Sequence, residues 1–110
     1  MPLKPIKTKG RLEKLKTDPK RAYNYSKNVF RGRWREAEPY IKKDATYAYL
    51  YAQNVLKQRW PQAERYIMKN PASACHYALY ILGHRWPEAE PYIMKDGFYA
   101  SLYKNILKID

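Results

Sequence analysis

The sequence predicts an all-α protein, a short α-solenoid of three two-helix repeats with a half-repeat cap at each end. The first observation is a period of 26 residues, at which Trp34, Trp60 and Trp86 recur, each followed at fixed distances by a tyrosine and an isoleucine. The second is that apolar residues within each unit recur at i, i+3 and i+7, which is the spacing of one helix face. A helix pair of this size cannot bury its apolar face alone, so neighbouring units must stack.

The period divides the chain into units 18–43, 44–69 and 70–95, followed by a capping half-unit 96–110. Each unit begins with Asp or Asn, whose side chain can accept hydrogen bonds from free N–H groups at a helix N-terminus. In the first and third units a proline follows, at the first helical position. These signals predict where the first helix of each unit starts.

The N-terminal segment is predicted to have two parts. Residues 11–17 carry Leu12 and Leu15 at helical spacing and are interpreted as a half-unit that completes a helical-repeat domain over residues 11–110. Residues 1–10 contain two prolines, a glycine and three lysines. We interpret them as a flexible basic arm.

The first helix of each unit should be about 13 residues long, and its buried face should resemble that of the first unit, which presents Ala22, Tyr25 and Val29. Gly32 and Gly83 lie near its predicted end, where a left-handed residue often closes a helix. We therefore expect each glycine to provide the C-terminal cap of its helix.

The second helix should bury its tryptophan with the alanine and isoleucine that follow at i+3 and i+7. Pro61 and Pro87 directly follow a tryptophan and are predicted to mark the helix start. Pro39 and Pro91 come later and remove a backbone hydrogen bond, so the first turn should be irregular there.

An arginine precedes a glutamate by five residues in every unit, as Arg33 does Glu38. We expect a structural ion pair, within or between units.

The repeat resembles one found in tandem in uncharacterised proteins of tailed phages and large DNA viruses. Residues 85–93, RWPEAEPYI, carry that motif without change, and the resemblance covers residues 18–110. It implies a helical stack in a viral, intracellular setting and brings no catalytic residues. Arg35 departs from the motif, which usually has proline there.

Composition limits the class of protein. No apolar run approaches the roughly 20 residues of a membrane span, and the N-terminus lacks the apolar core of a secretory signal. The single cysteine, Cys75, cannot form an internal disulfide, which favours a reducing compartment such as the cytoplasm. Ten of the twelve excess positive charges lie in residues 1–43, which indicates a negatively charged partner or a solubilising surface.

The sequence offers little for catalysis or metal binding. Cys75, His76 and His84 supply three possible ligands, one short of a closed structural zinc site, so a packing role is the simpler interpretation. Phosphate-binding loops, zinc-protease motifs and nucleophile sets are missing from the sequence. We expect a non-enzyme without a cofactor, metal or small-molecule substrate.

The leading hypothesis is a binding protein that docks on an acidic host or viral protein and inhibits a host defence or takeover factor. Basic and aromatic side chains off the buried face of the first helices are predicted to contact the partner, although burial by a neighbouring helix is the alternative for the apolar ones. These residues are Lys20, Arg21, Tyr23, Lys27, Arg31, Tyr47, Leu50 and Tyr80.

The rival hypothesis is weakly sequence-specific nucleic-acid binding through the basic residues of 1–43. Its candidate residues are Lys4, Lys7, Lys9, Arg11, Lys14, Lys16, Lys20, Arg21, Lys27 and Arg31. A third possibility is an oligomer-forming unit, in which the open face of the capping half-unit adds to another chain.

Overall fold

The computed structural model describes residues 9–110, with side chains from residue 10 onward, and it confirms the all-α helical repeat. The helices are α1 (Lys9–Thr17), α2 (Pro19–Tyr25), α3 (Glu38–Ile41), α4 (Ala45–Tyr51), α5 (Pro61–Ile67), α6 (Pro71–Tyr77), α7 (Glu90–Ile93) and α8 (Gly97–Leu107). Three of them, α2, α4 and α6, continue directly into π-helical turns at Ser26–Phe30, Ala52–Leu56 and Ala78–Leu82. We call α2, α4, α6 and α8, with these turns, the long helices, and α3, α5 and α7 the short helices.

The described helices include none that is long and apolar enough to cross a membrane. Helix α1 begins at Lys9, inside the segment 1–10 that was predicted to be a flexible arm, and residues 1–8 of that segment lie outside the described residues.

The long helices start where the capping residues predict. The side chains of Asp18, Asp44, Asn70 and Asp96 accept backbone N–H groups two or three residues later, at 3.0–3.2 Å. These bonds satisfy donors that the helix itself leaves free. The start of each unit is therefore fixed locally by one side chain.

The long helices end differently from the prediction in the first unit. Gly83 has the expected left-handed conformation (φ 74°), but in the first unit the left-handed residue is Arg31 (φ 58°), so the prediction for Gly32 is wrong. The period explains this, because Arg31 aligns with Lys57 (φ 57°) and Gly83, whereas Gly32 does not. In each of these units the left-handed residue donates to a carbonyl five residues back, which closes the π turn.

The prolines determine where the short helices begin. Helix α5 begins at Pro61 as predicted, but α7 begins at Glu90, so the prediction that Pro87 starts a helix is wrong. Pro91 has no N–H to give to the carbonyl of residue 87, and a tight turn over residues 87–89 replaces the first helical turn. The expected irregularity is confirmed at Pro39 as well, because α3 begins at Glu38.

The predicted faces form one continuous core. One alanine in each of the helices α2, α4 and α6 is fully buried, as are the alanine and isoleucine that follow each tryptophan at i+3 and i+7, and the three tryptophans are 3–4% exposed. One tyrosine of each full unit packs on the tryptophan of the same unit, with ring centroids 5.0–5.1 Å apart for the pairs Tyr25–Trp34, Tyr51–Trp60 and Tyr77–Trp86. Burial of these three pairs contributes to the apolar stabilisation of the stack.

A four-residue junction joins each unit to the next. The Tyr51 hydroxyl accepts the Trp34 N–H (2.8 Å) and donates to Glu38 Oε2 (2.7 Å). Glu38 is also held by both Arg33 Nε (3.0 Å) and Nη2 (2.8 Å), which confirms the arginine–glutamate pair and places it within a unit. The later junctions are built in the same way from Arg59, Glu64, Trp60 and Tyr77, and from Arg85, Glu90, Trp86 and Tyr103.

The first and last junctions shift the pKa values of their glutamate and tyrosine in opposite directions. Burial opposes ionisation of Glu38, but the hydrogen bonds from Arg33 and Tyr51 outweigh it and lower the pKa of the carboxyl. The hydrogen bond from its arginine likewise lowers the pKa of Glu90. Burial, helped by the hydrogen bond to Glu90, raises the pKa of Tyr103 to about 12. The junction is therefore most stable with the glutamate charged and the tyrosine neutral.

Candidate interaction surface

The long helices present one exposed side, which we call the long-helix face. The period places Lys20 and Phe98 at equivalent positions on it, and also Asn28, Tyr80 and Ile106. Its chemistry therefore changes along the 53 Å length of the molecule, from cations on α2 to aromatic and aliphatic side chains on α6 and α8.

The cationic end lies on the first long helix, which consists of α2 and its π turn. Lys20, Arg21, Lys27 and Arg31 are all exposed, as predicted. Lys20 and Arg31 have no acidic partner among residues 10–110. Arg21 lies 3.8 Å from Asp18, but this ion pair is exposed and therefore weak. Most of this charge is therefore available to a ligand.

Two basic depressions flank α2. One lies between α1 and α2, has a volume of about 260 Å³, and is lined by Arg11, Lys14, Leu15 and Arg21. The other lies between the C-terminal turns of α2 and α4 and is lined by Lys27, Arg31 and Lys57 among others.

Among the remaining candidates for nucleic-acid contact, the structure describes the side chain of Lys16 alone. Lys16 is paired with Glu13 at 2.6 Å. Lys4 and Lys7 lie outside the described residues, as does the side chain of Lys9.

Tyr23 was expected to be exposed beside the cations, and this is wrong because it is only 5% exposed. Its ring lies 5.9 Å from that of Tyr47, and its hydroxyl accepts a hydrogen bond of 2.8 Å from Asn54 Nδ2. Tyr23 is therefore part of the contact between α2 and α4. The predicted stripe of Ala22 and Tyr25 omitted this second stripe, which faces the next long helix and includes the fully buried Ser26.

The aromatic end is larger than the sequence hypothesis proposed. Tyr80 is 58% exposed, as that hypothesis requires, whereas Tyr47 and Leu50 are half-buried. The sequence hypothesis missed Phe98 and Ile106, which are 69% and 49% exposed, although the 26-residue period assigns both to this face.

A histidine joins the aromatic side chains of three units. The His76 ring lies 5.7 Å from Tyr49, 5.9 Å from Tyr80 and 5.6 Å from Tyr99, and Tyr99 packs edge-on against Phe98 at 5.0 Å. His76 therefore has a packing role, and the ring network leads from the interior to the exposed Tyr80 and Phe98.

The cysteine is also structural. Cys75 is fully buried, its Sγ lies 3.6 Å from the Tyr99 carbonyl oxygen, and burial raises its thiol pKa to about 11. A buried, protonated thiol is a poor nucleophile and metal ligand. The described residues contain no group of three or more His, Cys, Asp or Glu side chains arranged to hold a metal ion.

Comparison with known proteins adds no relative: no family model, no curated protein and no solved structure matches the chain.

Proposed function

We propose that the protein is a non-catalytic binding protein that docks its long-helix face on an acidic surface of a partner protein. The observation that supports this most is the division of that face into free cations on the first long helix and exposed Tyr80, Phe98 and Ile106 on the last two long helices. Cations steer and orient an acidic partner, while buried aromatic side chains supply most of the contact energy. The recurring glutamates are engaged by arginine and tyrosine, so they are unsuited to acid–base catalysis.

The biological setting of the proposal comes from the repeat motif. Its resemblance to repeats of phage and large-virus proteins suggests a host or viral target in the host cytoplasm, and inhibition of a defence or takeover factor as the outcome. The charge asymmetry is compatible with this, because the net positive charge is concentrated in residues 1–43.

Affinity capture from nuclease-treated lysate tests the proposal. The tagged protein should retain a defined partner, and the variant with Lys20, Lys27 and Arg31 changed to Gln should lose it. The matched control removes the same charge at the ends of the short helices, by changing Lys43, Lys69 and Lys95 to Gln, and should keep the partner.

A second pair of variants tests the aromatic end. Changing Tyr80 and Phe98 to Ser should abolish partner binding, whereas the same change at Tyr40 and Met94, which are both 38% exposed outside the long-helix face, should not. Retention of the same proteins by both pairs, or loss of every partner after nuclease treatment, would contradict the proposal.

Nucleic-acid binding is the second candidate, and the two basic depressions beside α2 favour it. Because Tyr23 is buried, this mode would rely on phosphate contacts rather than on a base stacked over that ring. It predicts an affinity that falls steeply with salt. A gel-shift assay at two salt concentrations should then show binding that is lost in the Lys20, Lys27 and Arg31 variant, and undetectable binding at low salt would exclude it.

A further inference from the structure

The cleft between the ends of α2 and α4 concentrates positive charge. It is open, has a volume of about 270 Å³, and is lined by Lys27, Arg31 and Lys57 together with the Asn54 side chain. The three cations are exposed and have no acidic partner within the described residues. Such a cluster repels itself and is stabilised by a bound anion.

The Asn54 side chain is a neutral hydrogen-bond donor in the cleft, and a hydrogen bond to Tyr23 fixes its position. Asn54 Nδ2 gives one hydrogen to the buried Tyr23 hydroxyl at 2.8 Å, and an amide nitrogen has two. The second hydrogen is left for a ligand. Because Tyr23 is packed between α2 and α4, the position of this donor is fixed before a ligand arrives.

The repeat provides an internal comparison. The equivalent cleft between α4 and α6 has a volume of about 180 Å³. Lys57 also lines this cleft, at the position equivalent to Arg31, but Gln53 and Tyr80 replace Lys27 and Asn54. Gly83 stands at the position equivalent to Lys57 of the first cleft. The same backbone arrangement thus occurs twice, and only the first copy carries three cations.

We propose that the α2–α4 cleft binds a compact phosphate dianion, in the form of a phosphate monoester carried by the acidic partner protein; the identity of the carrier rests on the proposed function. A phosphate monoester has nearly two negative charges and three acceptor oxygens, which match several cations and a fixed amide around a small volume. Arg31 can bind two of those oxygens at once. A nucleic-acid strand continuing along the stack would meet Gln53 and Tyr80 instead of further cations.

Titration of the purified protein with phenyl phosphate and with inorganic phosphate, followed by NMR at constant ionic strength, tests the site. Both probes should cause saturable amide shifts confined to residues 26–32 and 54–58, at a stoichiometry of one. Changing Lys27, Arg31 and Lys57 singly to Gln should weaken binding about two- to fivefold each, as expected for exposed ion pairs. The Lys43, Lys69 and Lys95 variant should bind normally. Shifts that do not saturate, or that persist when all three cleft cations are replaced, would overturn the proposal.

The complementary test introduces the side chains of the first cleft into the α4–α6 cleft, which should create a second phosphate site. Gln53→Lys, Tyr80→Asn and Gly83→Lys together should raise the stoichiometry to two, with new shifts at the α4–α6 cleft. An unchanged stoichiometry in a folded variant would count against the cation set as the determinant.

Two further binding experiments identify the kind of molecule that carries the phosphate. A phosphorylated acidic peptide should bind more tightly than its unphosphorylated form, and the difference should disappear in the triple cleft variant. A single-stranded oligonucleotide without terminal phosphates should leave residues 26–32 and 54–58 unshifted. If it binds there and phenyl phosphate does not, the cleft belongs to a nucleic-acid site and the inference is wrong. Capture of the same partner from phosphatase-treated lysate would refute this inference alone and leave the proposed function intact, because the proposed function requires the cations of the first long helix but no phosphate on the partner.

Discussion

Removal of a single oxygen atom tests how far the stack depends on its junctions. In the central junction the Tyr77 hydroxyl accepts the Trp60 N–H at 2.8 Å and donates to Glu64 Oε2 at 2.6 Å. Tyr77→Phe keeps the ring on Trp86 but leaves a buried backbone N–H without a partner and takes one donor from a carboxylate.

The magnitude follows from these two losses. A hydrogen bond to a charged group contributes about 1.5–3 kcal/mol, and a buried donor without a partner costs about 1–3 kcal/mol. The two are not independent, because one hydroxyl makes both bonds, so we expect the free energy of unfolding to fall by roughly 3 kcal/mol in total. For a domain of this size that corresponds to a melting temperature lower by roughly 10–20 °C.

Denaturant and thermal unfolding followed by circular dichroism measure this loss, and hydrogen exchange of the Trp60 amide reports the broken bond directly. Tyr80→Phe is the matched control, since it deletes the same atom three residues later from a side chain that is 58% exposed. It should change the free energy of unfolding by less than about 0.5 kcal/mol. Equal effects of the two substitutions would refute the junction as a stabilising element.

Other outcomes follow from single residues. Gly83→Ala should cost about 1–2 kcal/mol because φ is 74° there, whereas Gly32→Ala, at a position without positive φ, should be neutral or slightly stabilising in the same unfolding assay. Cys75 should react with a thiol reagent at pH 8 only as fast as the protein opens, and denaturant should accelerate labelling. Because the folded-state pKa of Glu38 is lowered, its contribution to stability should be complete above its unfolded pKa, about 4.3, and be lost as pH falls further, which unfolding midpoints between pH 3 and 7 would show. Because the folded-state pKa of Tyr103 is raised to about 12, its contribution should be complete below its unfolded pKa, near 10, and be lost as pH rises from there to about 12.

The period and the helix spacing were sufficient to predict the repeated helix pairs, the starts of the long helices and one buried stripe on each helix. The reason is that a single helix pair is too small to bury the recurring alanine, tryptophan and isoleucine, so these residues must pack against neighbouring units. Each Asp or Asn start is likewise a local signal, because the capping bond lies within three residues.

Features that depend on two units at once were beyond that reasoning. The helix spacing predicts that the periodic tyrosines are buried, but nothing in it shows that the Tyr51 hydroxyl reaches Glu38 of the preceding unit. The expected exposure of Tyr23 failed for the same reason, since its partners Tyr47 and Asn54 lie 24 and 31 residues away. The prediction of exposure was consequently better for charged side chains, whose exposure follows from solvation, than for tyrosines.

The outer side of the last long helix is more polar than the corresponding side of the inner long helices. The long-helix position that faces the next unit is occupied by the fully buried Ser26, Ala52 and Ala78, but in the last long helix it is Lys104, and the neighbouring Ser101 is exposed. A fifth unit packed there would bury a lysine amine, which costs several kcal/mol unless it is paired. Polar outer faces of this kind terminate a solenoid. This disfavours head-to-tail growth through the capping half-unit, so Lys104→Ala, which restores the small residue of the inner units, is the substitution that should favour association of one chain with another, measurable by light scattering.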